Sequence, residues 1–171
     1  MTELIHEIDE SIHECIPDAT MVGLCHILLS DNDQFPSIIG VQGSKVVPND
    51  KNTITIYHRL INGNYEPRED LQFGRKITRQ NQQRIRTVVF IKIDQDQNII
   101  DDIANALPAT IRDQSEYSII SVSENVTLIR DRDAIWTEEY SAAYKDKYQV
   151  KYHVYALEYD LFYVKCNICV T

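Results

Sequence analysis

At 171 residues with no Gly/Ser-rich linker, the chain fits a single domain, 1–171, large enough to bury roughly two thirds of its unfolded surface. Its 17 basic against 26 acidic residues give a net charge of −9 and a pI near 4.9, a balance that opposes general binding to nucleic-acid phosphates. No apolar run reaches the roughly 20 residues of a membrane span, and Met1 to Pro17 is acidic and amphipathic, unlike a secretory signal, so synthesis in the cytoplasm is expected.

Leu4, Ile5, Ile8, Ile12, Cys15 and Ile16 recur at helical spacing, with Thr2 positioned as a cap and Pro17 as a stop. Glu3, Glu7, Glu10 and Glu14 form the charged face of this predicted helix, flanked by His6 and His13; that is a solvated acidic face unless another element adds metal ligands. Met21 to Leu29 is apolar enough for a buried strand or a second helix, and Asp31-Asn32-Asp33 turns the chain. Ile38 to Val41 and Thr53 to Leu60 have strand composition, the latter with Ile54, Ile56 and His58 on one side and Thr55, Tyr57 and Arg59 on the other. Pro48-Asn49-Asp50 and the tight-turn pair Asn62-Gly63 mark the adjoining turns.

Residues 64–83 are the most polar stretch, an extended loop or hairpin that, with its neighbours, holds Arg68, Arg75, Lys76, Arg79, Arg84 and Arg86. In an acidic protein this is a local basic patch: a docking arm, or a merely solvated loop. Single-strand nucleic acid is disfavoured, because only Tyr65 and Phe73 offer stacking surfaces.

Arg86 to Asp94, centred on Thr87-Val88-Val89-Phe90-Ile91, is the clearest interior strand. Asn98 then caps a helix carrying Ile99, Ile100, Ile103 and Leu107, which Pro108 should end. Short strands are predicted near Tyr117 to Val122 and Val126 to Ile129, and Asp133 can open a helix through Ile135, Trp136, Tyr140, Ala143 and Tyr144, or a loop crossing back.

The chain closes on a long alternating run. Tyr148, Val150, Tyr152, Val154 and Ala156 face one way, and Leu157, Tyr159, Leu161 and Tyr163 continue the period after a one-residue slip of the kind a β-bulge produces. A strand of this length outruns one small sheet or follows a subunit boundary. Tyr148, Tyr152, Tyr155, Tyr159 and Tyr163 suit a half-buried contact, being large and apolar with a hydroxyl that can stay wet.

Cys15, Cys25, Cys166 and Cys169 read as reduced packing thiols. Cys166-Asn-Ile-Cys169 has zinc-half-site spacing but extended flanks, which point its two thiols apart. No GxSxG, HExxH, GxGxxG or P-loop occurs, and Asp94 to Asn98 lacks the glycine and glutamate of a calcium loop. Asp101-Asp102, Asp131 with Asp133, and Glu138-Glu139 read as caps and solvated faces. No catalytic residue, metal site or cofactor is expected. Runs of neighbouring strands predict an α+β domain with a mainly antiparallel sheet, helices on one face, the other face left for a neighbour, and a long C-terminal strand.

The order of elements, the polar excursion at 64–83, the Arg86 to Asp94 strand leading into the Asn98 to Leu107 helix, and Trp136 before a tyrosine-rich closing strand resemble tail-terminator and tail-completion proteins of tailed bacteriophages. The isoleucine-rich, glycine-poor composition fits an AT-rich genome such as those of crAss-like phages. The resemblance implies a non-enzymatic virion protein, made in the host cytoplasm, whose copies close a ring in the neck or tail. It would lie between portal and adaptor rings and the tail hub, with DNA only passing through the channel. It also implies an extended loop at Asn64 to Gln83 and an inter-subunit strand surface at Tyr148 to Cys166. The contact residues would be Arg68, Arg75, Lys76, Arg79, Arg84, Tyr148, Tyr152, Tyr155, Tyr159 and Tyr163. The rival classes are a small metal- or ligand-binding domain and an early host-interaction protein.

Overall fold

A computed structural model of the chain describes residues 2–28, 37–40, 45–46, 51–61, 66–73, 76–110, 119–123, 125–131, 134–135 and 151–164. It is an α+β structure: helix α1 (Thr2–Cys15), strands β1 (Ala19–Leu28), β2 (Ser37–Gly40), β3 (Lys45–Val46), β4 (Ile54–Leu60), β5 (Glu66–Phe73) and β6 (Lys76–Lys92), helix α2 (Ile99–Thr110), then β7 (Ile119–Val122), β8 (Thr127–Ile129) and β9 (Tyr152–Val164). The strands form one sheet in the order β3-β2-β1-β4-β6-β9-β7, with β5 paired to β6 and β8 to β9. All pairs are antiparallel except β1 with β4.

Two long strands organise the sheet. All thirteen residues of β9 pair with β6 in unbroken register, from Lys92↔Tyr152 to Gln80↔Val164. Along the other edge of β6, β4 and β5 follow one another in the same direction, pairing with its second and first halves. The chain therefore does not reverse between β4 and β5, where Asn62-Gly63 suggested a turn; it reverses between the paired residues Phe73 and Lys76. The outer edge of β9 is treated alike, with β7 and β8 end to end. Between them Ser123 keeps the ladder going: its N–H donates to the Asp160 carbonyl at 2.8 Å and its hydroxyl accepts from the Asp160 N–H at 3.1 Å.

The continuous register of β9 corrects the expected bulge near residue 157. Both faces of the sheet are buried at its centre, so the buried side chains change face along β9 while the backbone stays regular. His153, Tyr155, Leu157, Tyr159, Leu161 and Tyr163 alternate with Tyr152, Val154, Ala156 and Glu158. A strand covered on both sides loses a polar/apolar alternation, which also explains the run Val88-Val89-Phe90-Ile91 in β6.

On one face Ile5, Ile8 and Ile12 of α1 and Ile100, Ile103 and Leu107 of α2, each no more than 1% exposed, pack against Ile54, Ile56, Ile85, Val89, Ile91, Leu157 and Leu161. Each such side chain contributes roughly 1.5–3 kcal/mol of transfer free energy. On the second face Cys25, Ile38, Tyr57, Val88, Phe90, Tyr152, Val154 and Ala156 cluster under Ile135. That face, expected to be left for a neighbour, is thus filled from within the chain at its centre. Tyr57 and Phe90 stack at 6.0 Å, and Tyr152 meets Phe90 edge-on at 6.0 Å.

Met21 to Leu29 is settled as strand by its pairing with both β2 and β4. Helix α1 ends at Cys15, ahead of Pro17, whereas α2 runs through Pro108 to Thr110, because a missing N–H in the last turn costs a single bond. The strand predicted from Arg86 begins ten residues earlier, at Lys76, since polar side chains suffice where the hairpin is not covered by helices. Ala134 and Ile135 are helical, and the rest of the predicted helix through Tyr144 lies outside the described residues. Among the described residues no helix is long and apolar enough to cross a membrane.

Candidate functional site

The polar excursion is a β-hairpin. Strand β5 pairs with β6 from Glu66↔Gln82 to Phe73↔Lys76, with a register shift between Arg68 and Asp70 that leaves Glu69 as the extra residue. Beyond Gln80 the described sheet narrows to these two strands, because β9 pairs with β6 only from Gln80 onward. From Gln80 to Lys76 this two-stranded arm extends about 13 Å at the usual rise per residue. Its charge is one-sided: between Asp70 and Asp94 the sequence holds Arg75, Lys76, Arg79, Arg84, Arg86 and Lys92 and no aspartate or glutamate. An acidic protein therefore concentrates cations on a protruding ribbon and along the strand that supports it.

Arg68, Lys76 and Arg79 occupy register positions on the arm, opposite Gln80, Phe73 and Asp70 respectively, and Arg75 lies outside the described residues. At the arm's base Arg84, half exposed, donates from Nη2 to Glu158 Oε2 at 3.1 Å. Arg86 donates to the other oxygen, Oε1, through Nε at 2.7 Å and also through Nη2, and its Nη1 donates to the Ile135 carbonyl at 3.1 Å. Glu158 thus pins two guanidinium groups and, through Arg86, the segment that crosses the second face. Glu158 was not singled out in the sequence; its signal was an acidic residue in line with Tyr152, Val154 and Ala156.

The tyrosines lie elsewhere. Tyr152, Tyr155, Tyr159 and Tyr163 are 2–8% exposed and belong to the two cores, so in this arrangement their side chains are not available as an inter-subunit surface. The physical reason is that β9 is a central strand with neighbours on both edges, where large side chains fill the layers above and below. Tyr155 donates its hydroxyl to Gln97 Oε1 at 2.8 Å, and Gln97 Nε2 donates to His153 Nε2 at 3.2 Å, which clips the loop before α2 onto β9. Tyr148 lies outside the described residues, as do Cys166 and Cys169.

A buried polar chain also escaped the sequence reading. His58, 0% exposed, has Nε2 2.8 Å from Asp9 Oδ1 and Nδ1 2.7 Å from Thr87 Oγ1, and Thr87 Oγ1 is 3.0 Å from the Tyr159 hydroxyl. Five elements meet here, because β1 adds a bulge: its register to β4 shifts between Met21 and Leu24, and Gly23 has φ +78°. His58 had been aligned with Ile54 and Ile56, but nothing in a single sequence pairs it with Asp9. Burial, and secondarily the nearby Asp9 charge, push the Cys25 thiol up to about 12. Burial also pushes the Tyr159 phenol above its ordinary range.

Cys15 is exposed and Cys25 buried. Among the described residues no group of three or more His, Cys, Asp or Glu side chains is arranged to hold a metal ion. No protein-family model matches the chain, and no curated protein is detectably similar to it.

Proposed function

We propose that the chain is a non-enzymatic structural subunit of a tailed-phage virion, which oligomerises into a ring in the neck or tail and helps form the DNA passage. The observation that carries this reading is the protruding β5–β6 hairpin, a basic ribbon on a protein of net charge −9. A narrow two-stranded arm buries little of itself and gains its value by docking, and its cations suit an acidic partner surface. The stiff β6–β9 ribbon behind it gives such an arm a fixed direction. The layout shared with tail-terminator proteins adds the assembly in which this arm would work, and an acidic body suits a channel that must not grip DNA.

The experiment has two arms. Quantitative mass spectrometry of purified virions should find a few to about a dozen copies per particle, as a closed ring requires. Combined Arg75→Glu, Lys76→Glu and Arg79→Glu should leave the isolated fold intact and abolish particle assembly. Absence from virions together with normal assembly by the charge-reversed chain would sink the proposal and favour an early host-interaction protein.

A further inference from the structure

The chain Asp9, His58, Thr87, Tyr159 links the N-terminal helix to the middle of the sheet, one residue each from α1, β4, β6 and β9. Its chemistry fixes a direction. An ionised Asp9 has only acceptors, so His58 Nε2 must carry the proton that is shared with it. Nδ1 of a neutral His58 then accepts from the Thr87 hydroxyl, and the Thr87 oxygen accepts from Tyr159. All the bonds run one way, Tyr159 to Thr87 to His58 to Asp9, and no buried donor in the series is left over.

The other orientation is less satisfactory. Were Nδ1 protonated, Thr87 would donate to Tyr159, and the phenolic hydrogen of a side chain 2% exposed would need an acceptor elsewhere. Asp9 is the member nearest water, at 13% exposure of its side chain, and it belongs to the most detachable element. Helix α1 is terminal in the described fold and joins β1 through the short Ile16-Pro17-Asp18 connection. Its remaining hold on the sheet is the apolar stripe Ile5, Ile8 and Ile12. The bulge at Gly23 shapes the opposite wall: a Cβ there would stand 3.6 Å from Asp9 Oδ2.

We infer that α1 is a latch on the helical face of the sheet, caught by Asp9 on a neutral, Nε2-protonated His58, and that Thr87 and Tyr159 set the catch by holding the imidazole in that tautomer. Two properties follow. The helix opens as a unit while the β6–β9 ribbon stays folded, and the opening is controlled from β6 and β9 as well as from α1. Such local opening is the ordinary behaviour of a peripheral cooperative unit.

Native-state hydrogen exchange and imidazole ¹⁵N spectroscopy on the full chain test this. In the native protein His58 should show a protonated Nε2 and a proton-free Nδ1. Asp9→Ala should lower protection of the α1 amides about ten- to a hundredfold, the scale of a lost charge-assisted bond, with β6 and β9 protection unchanged. Asp9→Asn, which keeps an acceptor oxygen, should lose less, and it serves if the alanine variant fails to fold. Thr87→Val keeps the shape of the core but cuts the chain, and should loosen α1 and free the His58 tautomer. Three results would each overturn the inference: α1 and β9 protection falling in step, α1 protection unmoved in Thr87→Val, or a native His58 protonated on Nδ1.

Discussion

Arg86 and Glu158 are direct partners across the β6–β9 ladder, and the Arg86 Nε donates to Glu158 Oε1 at 2.7 Å. With side chains 18% and 11% exposed, the pair is largely withdrawn from water, unlike Arg84, whose side chain is 55% exposed. Removing the carboxylate leaves a guanidinium half-stranded, which costs far more than an exposed pair contributes. Glu158→Ala should therefore destabilise by about 3 kcal/mol, and Arg84→Ala by less than about 1 kcal/mol. In thermal unfolding the first should lower Tm by roughly 6–12 °C. Equal shifts for the two variants would mean that solvent screens Arg86 as well.

Gly23 is the residue whose backbone needs a missing side chain. At φ +78° an L-residue is strained, although the added Cβ would find ordinary contact distance to Asp9 Oδ2. Gly23→Ala should cost about 1–2 kcal/mol, Gly23→Asn less, and Gly23→Val more, because asparagine tolerates this region and β-branched side chains do not. Urea midpoints at constant m-value measure the ranking. An unaffected Gly23→Val would show that the bulge relaxes freely.

The two described thiols should separate by reactivity. Exposed Cys15 should be alkylated readily near pH 8, while Cys25, with its pKa pushed up to about 12, should react only on unfolding. The same shift gives a stability trend. The unfolded thiol loses its proton near its ordinary 9.0 while the folded one keeps it, so stability is fully present below about pH 9 and is lost progressively toward pH 12. Tyr159, also raised by burial, adds to the loss in the same direction. Denaturant midpoints from pH 8 upward check this; a flat profile would contradict both assignments.

At the loop before α2, Arg130 donates to both Asp101 oxygens at 2.8 and 3.0 Å and lies 5.7 Å from the Tyr155 ring centroid. Both charged side chains are about half exposed. Arg130→Ala should therefore cost less than about 1 kcal/mol, and Tyr155→Phe about 1 kcal/mol through the loss of Gln97 as acceptor. Calorimetry on the two variants and their double mutant would expose any coupling through the ring.

The helices, the strands from Thr53 to Leu60 and in the closing segment, and the α+β class were legible because periodicity encodes which side of an element is apolar. What periodicity cannot carry is pairing between distant residues. That Asp9 meets His58 and Arg86 meets Glu158 depends on strand order and register. The closing strand misled for a related reason: burial on both faces of β9 imitates a slip, and the tyrosines that composition assigned to a contact surface fill the layers on either side. The hairpin at 64–83 was anticipated in place and polarity, but its continuation into β6 was hidden, because polar residues at the start of a strand look like loop.

The pairing of β6 with β9 also has a mechanical consequence. A pull along β6 against β9 loads all thirteen paired positions together, in shear, so the resistance of the ladder is shared among its rungs. A pull at the Phe73–Lys76 end of the hairpin instead parts β5 from β6 one rung at a time. The same molecule thus offers a yielding tip and a stiff shaft, and a load taken up at the basic end is met first by the part that can give without disturbing either core.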